Sequence, residues 1–184
     1  MKTMFKIAVV GLALTLGGCA TDFAAPSQAR QGEIDFIAAN YTAADNLLRL
    51  VAPKLPKGAS VIMATVVNVD ALESSSTLGR GISEQVTSRF SQAGYTMIEM
   101  KFRDSVYMKR NEGELMLARE VSHIAKTNNA NAVIVGTYAE AGANVYVNLK
   151  VIDPNTDTVM AATDYMLPMT NDVRSMLGKR PRGY

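Results

Sequence analysis

The residue with the clearest chemistry in this 184-residue chain is Cys19, its one cysteine, which closes the stretch Leu16-Gly17-Gly18-Cys19. That stretch looks like a lipobox. Ahead of it stand Lys2 and Lys6 and an apolar run from Ile7 to Leu16, the layout of a secretory leader. At ~1.5 Å per helical residue the run covers about 15 Å, half of what a membrane span needs. Attachment therefore has to come from lipid on the Cys19 thiol, with cleavage just before it. Each buried methylene contributes ~0.8 kcal/mol, so two or three chains hold a protein at a membrane almost permanently.

Other reactive constellations are absent from the sequence. His123 is the one histidine, and with no second histidine and no free thiol it cannot join a nitrogen or sulfur metal cluster. A serine triad would depend on it, yet no G-x-S-x-G turn is present. Glu73, Glu84, Glu99, Glu112 and Glu114 are scattered, and no pair is set apart for acid and base roles. These features exclude the common hydrolytic chemistries and imply neither a metal nor a cofactor. The nearest approach to a ligand motif is Ser76-Thr77-Leu78-Gly79-Arg80-Gly81. Free amides at a helix start and the Arg80 fork could receive an anion there. The signal is weak, since G-x-G without a third spaced glycine is no phosphate-binding fingerprint, and the same glycines suit close packing of a helix on a sheet, with Arg80 solvated or internally paired.

Removing residues 1–18 takes away two lysines and no acid, leaving 17 basic against 17 acidic side chains in place of a formal charge of +2. A neutral domain argues against nucleic acid as a partner. With Cys19 acylated no disulfide can form, so packing alone must stabilise the 166 residues from Cys19 onward. Residues 19–33 are small and polar, with Pro26 and Gly32, and read as the lipidated cysteine and a tether. Residues 34–169 then form a single domain, and 170–184 a basic tail in which Arg174, Lys179, Arg180 and Arg182 face Asp172 alone. The tail is expected to be disordered, or to dock on an anionic lipid, a glycan or a protein neighbour.

Positioning these groups requires a mixed α/β framework. Ile34, Ile37, Tyr41, Ala44, Leu48 and Val51 recur at helical spacing before Pro53. Ser60 to Val69 reads as a buried strand. Serines 74 to 76 cap a helix carrying Leu78, Ile82, Val86 and Phe90, with Gly94 past its end. Tyr95 to Phe102 gives a second strand, and Ser105 to Met108 an extra edge strand. Asn111 and Glu114 open a third helix through Leu115, Ala118, Val121, Ile124 and Ala125. Ala132 to Tyr138 is a central strand. Val145 to Ile152 alternates, and Asp153-Pro154-Asn155-Thr156-Asp157 turns it into a partner from Thr158 to about Tyr165. The expectation is a three-helix domain on a mixed sheet with a C-terminal antiparallel meander. Met63, Met97, Met100 and Met160 suit its core. Tyr146 shares the polar strand face with Asn148 and Lys150, which makes Tyr146 and Lys150 candidates for a partner contact.

Several stretches together resemble the FlgO-type flagellar outer-membrane lipoproteins: YTAADNLLRL from Tyr41, VIMATVVNVDAL followed by SSSTLGRGISEQ, Gly94-Tyr95, Glu112-Gly113-Glu114-Leu115, and Val135-Gly136-Thr137-Tyr138 before VYVNLKVID. The resemblance implies a non-enzymatic outer-membrane lipoprotein, anchored through Cys19, that supports a stable and functional flagellum. Its partners would be basal-body or other envelope proteins, and self-association is compatible with it. Ala20 in place of an aspartate implies, by analogy with lipoprotein sorting, the outer membrane. The fold also resembles the amino-terminal domain of TolB, the curli-secretion lipoprotein and the lipoprotein activators of peptidoglycan synthases. That second likeness implies an envelope adaptor binding a cell-wall synthesis or secretion partner.

Overall fold

A computed structural model describes residues 35–72, 74–98 and 123–180. The chain divides into two compact units, Met1–Gln31 and Gly32–Tyr184, and all described residues belong to the second. The lipobox, the tether, the Ser105 to Met108 segment, Met100 and the start of the third helix lie outside the described residues.

Helix α1 spans Phe36–Val51 and begins where the Asp35 side chain accepts hydrogen bonds from the amides of Ile37 and Ala38. Its buried face is Asn40, Ala43, Ala44, Leu47 and Val51. This is rotated from the stripe expected around Ile37, Tyr41 and Leu48, and Ile37 is exposed. The cause is a buried polar cluster: Tyr165 donates to the Asn40 side-chain oxygen, and Asn40 Nδ2 donates to Gln85 Oε1 at 2.5 Å. A satisfied amide can occupy a position that an apolar count assigns to the surface.

The expected strand Ser60 to Val69 is two pieces, β1 (Ser60–Met63) and β2 (Val67–Asn68), which pair with different stretches of one neighbour. The break at Ala64 to Val66 is closed by helix α2 (Thr77–Gln92), where Ser83 Oγ accepts from the Val66 amide at 2.9 Å. Leu78, Ile82, Val86 and Phe90 of α2 are fully buried, as their spacing predicts. Gly94 follows with φ of 92°, a left-handed turn that glycine adopts without strain. Strand β3 is Thr96–Ile98, and residues 123–127 form a helical stretch, α3.

β4 (Ala132–Glu140), β5 (Asn144–Asp153) and β6 (Thr158–Pro168) form the antiparallel meander. The strand order is β3-β1-β4-β5-β6, with β2 also on β4; β1, β2 and β3 pair in parallel, so the sheet is mixed. A bulge beside Val151 and Ile152 frees the Met160 carbonyl, which accepts from Lys54 Nζ.

The main core lies between the sheet and the α1/α2 layer and includes Val145, Val147, Leu149 and Val151 from alternate positions of β5. Met63, Met97 and Met160 pack at its margin. A smaller cluster on the other face brings Ile62, Val133, Val135 and Ile152 against Ala125 and Ala130. The tail, expected to be disordered or to dock on a neighbour, begins instead with ordered structure packed on its own domain. Helix α4 (Asn171–Met176) is capped by Thr170 and buries Val173 in the core, while Lys179 forms a salt bridge with Glu140. A fourth helix thus joins the three expected.

Candidate functional site

Two places hold the residues with candidate roles, and their environments differ. At the first, the start of α2, Ser76 Oγ accepts from the Gly79 amide at 3.0 Å and from the Tyr138 hydroxyl at 2.8 Å. The cap is therefore occupied from within. Arg80 Nη1 donates to Ser75 Oγ at 3.0 Å and Arg80 Nη2 to Thr77 Oγ1 at 3.2 Å, so its guanidinium folds back on the serine-rich turn. A Cβ on Gly79 would lie 1.9 Å from the Val66 carbonyl oxygen, whereas one on Gly81 would meet the Phe36 ring at 3.4 Å. Gly79 is where α2 touches the backbone of the β1–β2 break. None of these contacts aims an unpaired group outward.

The second place is the half of the sheet opposite α1 and α2. Beyond the cluster under α3, the described residues leave the open face of β4, β5 and β6 uncovered. The register sets Ala139 beside Tyr146 and Tyr146 beside Met166, and Thr137 beside Asn148 and Asn148 beside Asp164. Val69 follows β2 on the same face, its amide donating to the Tyr138 carbonyl. Small Thr137 and Ala139 on the central strand leave a groove of about 530 Å³, walled by Tyr146, Met166 and Val69. Those three are 53%, 47% and 43% exposed, unusual for large apolar groups at adjoining positions. Asn148 Nδ2 donates to Asp164 Oδ1 at 2.6 Å on the groove floor. Lys150 lies half-buried farther along the same face.

Tyr146 and Lys150 thus share a face, as their alternation predicts, but Gly79, Arg80 and Gly81 sit at the other layer and belong to no common site with them. Met166, Val69 and Asp164 were not singled out in the sequence. The signal for two of them was present in β6, where Asp164 and Met166 alternate with Thr163, Tyr165 and Leu167.

The titratable groups carry little perturbation that could serve chemistry. Burial pushes the Tyr165 phenol far up from its ordinary value, and the Tyr95 phenol up as well. Both are structural, Tyr165 bonding to Asn40 and Tyr95 donating to the Leu55 carbonyl at 3.2 Å. His123 is exposed on α3. Among the described residues no group of three or more histidine, cysteine, aspartate or glutamate side chains is placed to hold a metal ion, and no helix is long and apolar enough to cross a membrane.

Helices on both faces of a mixed sheet that ends in an antiparallel meander define the class of small α/β domain seen in LpoB. The LpoB carboxy-terminal domain from Salmonella enterica superposes with a TM-score of 0.55 at 11% identity, covering 72% of this chain and 98% of that one. The Escherichia coli domain gives 0.54 at 11% identity, with the same coverage of each chain. The solution structure of E. coli LpoB gives 0.52 at 11% identity, over 91% of this chain and 84% of the other. At such identity the likeness is one of fold. A family model described as FlgO protein matches residues 41–172, and the chain belongs to that family. Comparison with curated proteins finds no match.

Proposed function

We propose that this protein is a non-enzymatic lipoprotein of the outer membrane, held by lipid on Cys19, that supports flagellar assembly, stability and motility. The observation that carries the reading is the FlgO family match, which runs from Tyr41 within α1 through α2 and the whole meander to the first residues of α4. The LpoB-like fold, shared at 11% identity, accords with a small domain of this kind without assigning its partner. In this reading the domain works by binding: lipid fixes it at the membrane, the α1/α2 layer stabilises the sheet, and the open face with Tyr146 and Lys150 meets a basal-body or other envelope protein. The alternative is an envelope adaptor for a cell-wall synthesis or secretion partner, favoured by the same fold.

Deletion of the gene separates the two. Loss of swimming with unstable or missing filaments and normal cell shape supports the flagellar role. Normal motility with a cell-wall defect supports the alternative. Fractionation of the tagged protein tests its location, and recovery in inner-membrane fractions alone would refute outer-membrane sorting.

A further inference from the structure

Resting on the adaptor reading, the groove on the open face points to a particular partner chemistry. Its walls, Tyr146, Met166 and Val69, are apolar, and its floor holds one carboxylate. Asp164 is exposed, and Asn148 donates to one of its oxygens. Asp164 lies opposite Asn148, and Met166 opposite Tyr146, so Asp164 and Tyr146 are diagonal neighbours on adjacent strands, about 7–8 Å apart. A single guanidinium placed between them would meet the carboxylate on one side and the aromatic face on the other. A second copy of this chain fits poorly. The strip is three strands wide, about 14 Å, and roughly 10 Å long, far short of the ~800 Å² per partner of a stable interface.

We infer that the groove binds a short polypeptide segment of a partner protein that presents an arginine between apolar side chains. The apolar neighbours fill the space beside Ala139 and Thr137, and the arginine pairs with Asp164 against Tyr146.

The test uses the full-length lipidated protein in nonionic micelles and two labelled short peptides, one with an arginine between leucines and one with glutamate in its place, followed by fluorescence polarisation. The arginine peptide is expected to bind at least about tenfold more tightly, with affinity falling as salt is raised. Asp164→Asn should remove most of the preference between the peptides, and Tyr146→Ala should weaken the arginine peptide by about tenfold. Both residues are exposed, so each variant should unfold within a few degrees of the wild type. Equal binding of the two peptides, no binding of either, or a preference that survives Asp164→Asn overturns the proposal. So does binding that emerges only when Lys101 to Arg110, itself basic and apolar, is replaced by a glycine-serine linker, because the occupant would then be this chain's own segment. The titration contains no flagellum, so its failure leaves the motility reading standing, and a motile deletion strain leaves the titration result standing.

Discussion

Replacing Gly79 by alanine adds one methyl group where α2 lies directly against the Val66 backbone. The new Cβ would sit 1.9 Å from the Val66 carbonyl oxygen, with Val66 C at 3.0 Å, and neither is the end of a flexible side chain. An ordinary separation of about 3.5 Å requires α2 to retreat by roughly 1.5 Å. That movement stretches the 2.9 Å bond from the Val66 amide to Ser83 Oγ, where Ser83 is buried. Overpacking costs about 1–3 kcal/mol and an unsatisfied buried amide about 1–3 kcal/mol, against roughly 1 kcal/mol gained from alanine's helix propensity. The net expectation is about 1–5 kcal/mol of lost stability, a fall in Tm of roughly 2–20 °C for a domain of this size. Gly81→Ala meets only the Phe36 ring at 3.4 Å and keeps the propensity gain, so Tm should hold or rise by a few degrees. Thermal unfolding of both variants by circular dichroism checks the pair. An unchanged Tm for Gly79→Ala would refute the packing role and return Gly79 to the anion-binding reading.

Truncating Val147 or Leu149 to alanine, both buried against the α1/α2 layer, should cost about 2–4 kcal/mol, whereas Tyr146→Ala and Lys150→Ala on the other face should each cost about 1 kcal/mol or less; chemical denaturation measures all four. Ser76→Ala removes the α2 cap and the acceptor of the Tyr138 hydroxyl, and should lower stability by about 1–2 kcal/mol without unfolding the domain. Because burial raises the Tyr165 phenol in the folded state, the protonated form is the one folding favours. Its contribution is fully present below the unfolded phenol's value near 10 and is lost as pH rises above it. Unfolding followed at pH ~8 and ~11 should show that loss, and Tyr165→Phe should flatten the part due to this group while lowering stability at neutral pH by leaving Asn40 short of a partner.

The sequence made the meander legible because β5 alternates from Val145 to Val151 and its turn carries proline and asparagine in the expected places. Helix α2 was equally plain, with four apolar positions at one spacing and a serine cap. What the pattern could not show was set by side-chain partners distant in sequence. Asn40 is buried only because Tyr165, 125 residues away, bonds to it, and this rotates α1 from its apolar count. The break between β1 and β2 depends on Ser83 and Gly79 reaching across to Val66. The ordered start of the tail depends on one valine and one cap in a segment dominated by charge. For the site, alternation placed Tyr146 and Lys150 on the open face, but the groove arises from small residues on β4 lying between Val69 just past β2 and larger ones on β5 and β6, a lateral relation that only strand pairing creates.

The most direct measurement of the central proposal is swimming in soft agar of a deletion strain complemented at equal protein abundance by the wild-type gene or by Cys19→Ser. The account expects the deletion to lose swimming, the wild type to restore it, and Cys19→Ser to fail while its domain still folds. A deletion strain that swims normally and bears intact filaments would contradict it.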